Sequence, residues 1–180
     1  MKDLHEHHIN IALVLRLGAA ELDALEQGES TDYSLLEDIM AYVTGYSDTH
    51  HHPTEDVVFA SLKLRAPEQA AEIEAILAEH EELIAKGKAF RDGLEAAQED
   101  AMVRRDQLVG AGREYFSKLQ HHMSIEEGLL FPLARRMLGP EDWAGIEHGI
   151  VAHADPLFAE ARDETFRRLW QRIHAHDTER

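Results

Sequence analysis

The stretch Gln120-His121-His122-Met123-Ser124-Ile125-Glu126-Glu127-Gly128-Leu129-Leu130-Phe131-Pro132 carries the pattern on which the fold turns. Residues four apart on a helix lie on one face, so His122 and Glu126 point the same way. The row extends through Leu108, Gly112, Tyr115, Leu119, His122, Glu126, Leu129, Leu133 and Met137, stepping by fours and threes. That is the buried stripe of a bundle helix, with two ionisable members. A carboxylate and an imidazole on a core seam are costly unless something satisfies them. For one such pair the simplest answer is a buried His–Glu hydrogen bond. The rest of the chain asks for more.

Working towards the N-terminus, the same stepping recurs. A first helix reads Leu4, His8, Ile11, Leu15, Gly18, Leu22 and Leu25, and stops at Gly28. His8 is on the buried row, His7 on its border and His5 on the solvated side. A second helix, from about Ser34 to Lys63, reads Leu36, Met40, Val43, Ser47, His51, Glu55, Val58 and Leu62. His51 and Glu55 repeat the spacing of His122 and Glu126. Pro53 lies inside this pattern and predicts a kink or a split of the helix at His50–Pro53; His52 is a reserve candidate for the seam. A third helix, from Glu68 to Gln98, reads Ile73, Ile76, His80, Leu83, Gly87, Phe90 and Leu94. Its neighbours Glu79, Glu81 and Glu82 read as a solvated face. Glu99-Asp100 leads into the fourth helix, Met102 to Leu138.

Beyond Gly139-Pro140 the chain restarts, with a short helix carrying Trp143, Ile146 and Ile150 and a last segment carrying Phe158, Phe166, Leu169, Trp170 and Ile173. That segment suits a helix packed across the bundle or against a second subunit. The tail from His174 to Arg180 reads as solvated, and His148 and His153 as surface groups or members of a second site. No stretch alternates with the period of a strand. The expected fold is all-α: an up-down-up-down four-helix bundle over residues 1–138, with a C-terminal helical extension over 139–180 in the same domain.

Composition bounds the chemistry. The 180 residues include no cysteine, so any metal is held by nitrogen and oxygen. The net charge of −17, from 18 Lys+Arg against 35 Asp+Glu, repels nucleic acid and anionic lipid. No secretory leader or membrane-spanning run is visible, and a cytoplasmic location is the expectation. There is no Gly-x-Ser-x-Gly elbow, phosphate loop or nucleotide fingerprint. Tyr42, Tyr46 and Tyr115 read as core, with Tyr115 placed to line a pocket. What remains is convergence: His8, His51 with Glu55, His80, and His122 with Glu126 lie on the inner rows of four helices. Bundles bind paired iron or manganese with inward Glu and His from facing helices, and six ligands exceed the four a single zinc needs.

In these pieces the chain resembles the haemerythrin-like, or HHE cation-binding, family. The matching stretches are His8-Ile9-Asn10-Ile11-Ala12, His51-His52-Pro53-Thr54-Glu55-Asp56, Glu79-His80-Glu81 and His122 through Pro132, with a looser echo in Asp155-Pro156-Leu157-Phe158. The resemblance implies a carboxylate-bridged pair of iron ions, with manganese or zinc as substitutes. His8, His51, His80 and His122 become ligands, and Glu55 and Glu126 the bridges. Oxygen-carrying members place two histidines four apart on the third helix; here those positions are Ile76 and Ile84. One metal therefore has an open position or recruits His52, a tyrosine or water, which favours substrate or peroxide access over reversible oxygen carriage. The expected partners are a small ligand (oxygen, nitric oxide or peroxide), a redox partner of unknown kind, and a second copy in a homodimer. An oxidoreductase of peroxidase, catalase or ferroxidase type and a metal-stabilised interaction module are the alternatives. Neither an output domain nor the cysteine-bearing segment of the family's iron-cluster repair members is visible.

Overall fold

The periodic rows become six helices. The computed structural model describes residues 1–99, 102–151, 153–158 and 164–178, and the side chains of all of these except 164 and 176–178. Asp100 and the tail beyond His174 therefore fall largely outside the described residues. Helix α1 spans Lys2–Gln27. Helix α2 covers 33–65 in three pieces: Tyr33–Tyr46, a π turn Ser47–His51, and His52–Arg65. Helix α3 is Ala70–Gln98, after a 3₁₀ turn Pro67–Gln69. Helix α4 covers 105–137 as Arg105–Ile125, a π turn Glu126–Leu130, and Phe131–Met137. Helices α5, Pro140–Gly149, and α6, Arg167–Thr178, follow. Among the described residues there is no strand.

Local chemistry sets the ends. Gly28 takes φ 76°, the left-handed conformation that an L side chain resists. There its N–H bonds Leu25 O at 3.2 Å and that of Glu29 bonds Ala24 O at 2.9 Å, which stops α1. The Asp32 carboxylate accepts from Leu35 N at 3.0 Å and starts α2. Pro140 begins α5, whose Asp142 accepts from Gly139 N at 2.9 Å and from the Arg65 guanidinium at 2.8 Å. That pair ties the end of α2 to α5.

α1 packs on α2 and α4, and α3 packs on the same two from the other side, which closes a four-helix bundle. Close approach depends on small residues: a Cβ at Gly112 would lie 2.7 Å from the Phe90 ring and 2.8 Å from Leu22. The apolar core is in two parts. One contains Leu15, Leu36, Ile39, Phe90 and Phe116, and takes in Leu169 and Ile173 of α6. The other contains Val58, Phe59, Leu62, Ile73, Phe131 and Ile146 of α5. α6 thus lies across the outside of α1 and α2 of its own chain. Between the two parts sits a layer of buried histidine and glutamate.

The inner rows of α1, α2 and α3 are buried as their periodicity requires. The row of α4 holds as far as Glu126 and then shifts. Leu129 and Met137 are 44% and 39% exposed, while Leu130 is fully buried. The π turn adds a residue to one turn of helix, so the inward face passes from Leu129 to Leu130. Both π turns close with an i to i+5 bond donated by the residue just before a proline: His52 N to Ser47 O before Pro53, and Phe131 N to Glu126 O before Pro132. A proline ring lacks the N–H and collides with the carbonyl four residues back, and the wider turn moves that carbonyl aside. The kink expected at Pro53 takes this form, and α2 is not split into separate helices.

Candidate metal centre

Two π turns and two regular helices carry the central layer. α1 supplies His8 and α3 supplies His80, one residue each at a seam position. α2 supplies His51, His52 and Glu55, with the two histidines on either side of the carboxylate's helical row. α4 supplies His122 and Glu126, the latter opening its π turn. All seven side chains are at least 95% buried. His8 lies flat on Phe131, ring centroids 5.2 Å apart, and His52 stacks on His80 at 4.3 Å.

The inner faces of these groups converge. Glu55 Oε1 lies 3.4 Å from His8 Nε2 and 3.3 Å from His51 Nε2, whereas its Oε2 lies 3.7 Å from His80 Nε2. Glu126 divides in the same way: Oε2 lies 3.4 Å from His8 Nε2, and Oε1 lies 3.2 Å from His122 Nε2 and 3.8 Å from His80 Nε2. Each carboxylate therefore sends one oxygen to the His8 side and the other to the His80 side. Donor atoms of His52, Glu55, His80 and His122 gather within 4.8 Å of one another, as do those of His8, His51 and Glu55.

None of these contacts is a hydrogen bond. The Nε2 atoms of all five histidines and all four carboxylate oxygens are buried without a partner. In a protein interior such atoms are expensive, and nine pointing at one place require a common partner. Two ligand atoms about 2.1 Å from one metal ion, about 90–109° apart, stand about 3.0–3.4 Å from each other, which is the spacing of the closer pairs here. The donor set, imidazole nitrogen and carboxylate oxygen without thiolate, suits iron, manganese or zinc. The layer fits a metal centre.

The outer faces of the rings are fixed by a second ring of groups. His8 Nδ1 lies 2.8 Å from Glu127 Oε1, His80 Nδ1 lies 2.8 Å from Asp56 Oδ1, and His122 Nδ1 lies 3.1 Å from Glu79 Oε2. An N–H donated to each carboxylate leaves the Nε2 lone pair facing the centre. Glu79 is in turn held by Lys118 at 2.6 Å, and Glu127 also by His5 at 3.0 Å. Asp48 stands 3.6 Å from His52 Nδ1. His51 and His52 are exceptions: His51 Nδ1 faces another imidazole, His7 Nδ1, at 3.4 Å, and His52 Nδ1 is buried without a hydrogen-bond partner.

The protein's own charges leave the layer in tension. Burial lowers the pKa of His8, yet Glu126 and Glu55 raise it to about 10. His80 is likewise opposed by burial and raised to about 9 by Asp56, Glu126 and Glu55. Burial, reinforced by neighbouring His8, holds His51 well below the usual histidine range; burial and His80 do the same to His52. Burial and the adjacent Glu126 push Glu55 up to about 7. Glu126 is itself pressed upward by burial, but contacts with His122, His8 and His80 hold it well below the carboxylate range. The two buried carboxylates draw positive charge towards His8 and His80, and a cation bound at the centre would take over that role and leave their Nε2 lone pairs free.

All six residues singled out by periodicity meet in this layer, and His52 joins them as a seventh. Its ring stacks on that of His80, while α3 itself carries Ile76 and Ile84 four residues to either side of His80. The outer carboxylates were less legible. Glu79, expected on a solvated face, turns in to His122, because Glu79 lies next to the inner row of α3. Asp56 and Glu127 follow seam residues by one position in the same way, and that adjacency is the only sequence signal for them. Tyr115 is buried in the apolar core. His148 is on the surface, and His153 stacks on His50 at 3.8 Å outside the layer.

Comparison with known proteins adds one match: a family model described as the hemerythrin HHE cation binding domain covers residues 1–134. No curated protein and no solved structure matches the chain. The matched span contains all four bundle helices up to Ala134 and all seven layer residues, and the chain belongs to the hemerythrin HHE cation-binding family.

Proposed function

We propose that the protein is a non-haem di-iron protein that binds or senses a small ligand such as oxygen, nitric oxide or peroxide, with residues 1–180 forming one domain. The observation that carries this reading is the set of nine buried, unpartnered donor atoms, divided by Glu55 and Glu126 into two halves. One half has His52, His80 and His122 with an oxygen from each carboxylate, five donors. The other has His8 and His51 with the remaining two oxygens, four donors. A pair of iron ions bound there supplies redox chemistry and a place for an exogenous ligand. The half with fewer donors is the side on which coordination is left for it. His52 supplies a third imidazole to the five-donor half although α3 carries a single histidine on its inner row, which favours reversible ligand binding.

The protein's residues do the rest. Phe131, flat against His8, and Phe59 beyond it line the layer with apolar surface and exclude water. Glu127, Asp56 and Glu79 keep three rings aimed inward. The test is metal content with an optical spectrum, on protein reconstituted anaerobically with ferrous iron and then exposed to air. About two irons per chain and a visible charge-transfer band that fades on deoxygenation are expected. A band that persists favours turnover, and an intact fold with no bound iron overturns the reading.

A further inference from the structure

A cleft of about 570 Å³ opens where the start of α1, the middle of α2, α5 and the segment around Asp155 meet. Its volume suits an organic molecule of one or two rings. Its lining includes apolar Val58, Trp143, Ile146 and Phe158 and polar His7, Tyr46, His50 and His153. The segment over it is held by Asp155, whose Oδ2 accepts from Tyr42 Oη at 2.9 Å and Asn10 Nδ2 at 3.0 Å, and whose Oδ1 accepts from the Leu157 and Phe158 N–H groups. The cleft is thus a built feature of the fold.

Two of its lining residues connect to the central layer. Tyr46 Oη lies 2.7 Å from His7 Nε2, and His7 Nδ1 lies 3.4 Å from His51 Nδ1. His51 is the one layer histidine whose outer nitrogen meets an imidazole and not a carboxylate. It belongs to the half with fewer donors. The occupant can be specified from the walls. Asp3, Glu6 and Glu147 at the lining, on a chain of net charge −17, repel anions. Trp143, Phe158 and the stacked His50–His153 pair offer faces to an aromatic ring, and Tyr46 with His7 offers hydrogen bonds to a hydroxyl.

We propose that this cleft docks a neutral aromatic diol of the hydroquinone class, and that Tyr46 and His7 carry its electrons through His51 to the metal pair. The proposal rests on the di-iron reading for its second half only. In the step, both O–H bonds of the diol break and a quinone forms. Two electrons reduce two ferric ions to ferrous, and two protons leave to water at the cleft mouth. Tyr46 and His7 stand between the cleft and His51, and neither is among the inward donor atoms of the layer.

The test uses menadiol and the full chain, with Trp170→Phe so that Trp143 alone reports. Saturable quenching of Trp143 is expected before and after iron loading, and its loss in Ala154→Phe, which fills the cleft from an exposed position without adding a second indole. Absent quenching, or quenching that survives Ala154→Phe, overturns the docking site. In the iron-loaded, air-oxidised protein at saturating menadiol, Tyr46→Phe and His7→Leu should be reduced about tenfold more slowly than the parent. Their rate with dithionite should be unchanged. Parental rates with menadiol, or equal slowing with dithionite, overturn the electron path. Should the parent bind no iron, the path falls with the di-iron reading, while the quenching still decides the docking site.

Discussion

Helices α2 and α4 are each broken by a π turn ahead of a proline, whereas α1 and α3 run without interruption. The regular pair contributes one histidine apiece to the central layer. The interrupted pair contributes five of its seven side chains, including both carboxylates. A regular helix presents a narrow inner row, and one ionisable group per seam is what such a row holds among apolar neighbours. Around the π turns the ladder is loosened, and His51, His52 and Glu55 all reach the core from one short segment of α2. The pairs His51–Glu55 and His122–Glu126 keep the four-residue spacing of a regular helix, and beside the π turn of α2 His52 is added to them.

This contrast can be broken from either side. The largest effect is expected at the carboxylates of the interrupted helices. Glu55→Gln and Glu126→Gln should each reduce bound metal from about two ions to below one, because each carboxylate serves both halves; elemental analysis after reconstitution reads this directly. His8→Ala, on a regular helix, should cost one ion and leave the other, so equal loss in all three variants would remove the distinction between bridges and single ligands.

His122→Ala comes next. It should lose the five-donor half and lower the melting stability by about 3 kcal/mol, because Glu126 stays buried without its principal partner. Unchanged melting with full metal content would dissociate this pair from the centre. Gly112→Ala tests the regular packing away from the layer. The new methyl must displace Phe90 or Leu22, and a loss of about 1–3 kcal/mol in denaturant unfolding, with metal content unaltered, is expected.

Pro53→Ala sharpens the comparison most specifically, with a smaller effect. Restoring the N–H and removing the ring allows α2 to relax towards a regular helix. The fold should persist while metal affinity falls about tenfold, as His52 loses its orientation. Affinity equal to the parent's would show that the π turn is independent of Pro53.

Much of this was legible in the chain itself. Periodicity alone placed His8, His51, Glu55, His80, His122 and Glu126 on inner rows, because burial enforces the 3.6-residue repeat wherever a helix is regular. It failed past Glu126, where Leu130 replaces Leu129 on the inner face, because a π turn leaves no mark on composition beyond the proline that follows it. It left His52 in reserve for the same reason. Glu79 was misplaced because glutamates beside a seam read alike whether they face water or a buried imidazole; only the position of α4, which brings His122 alongside, distinguishes them.

The sequence by itself determined the helical class, the four amphipathic rows and the six ionisable residues on them, since these depend on local spacing and on the cost of burying ionisable groups. The tertiary structure decided the division of each carboxylate between two halves, the recruitment of His52, the outer ring of Glu127, Asp56 and Glu79, and the cleft that meets His51 through His7. Those features depend on distances between residues far apart in the chain, which are set by how the helices pack and where their backbones depart from regularity.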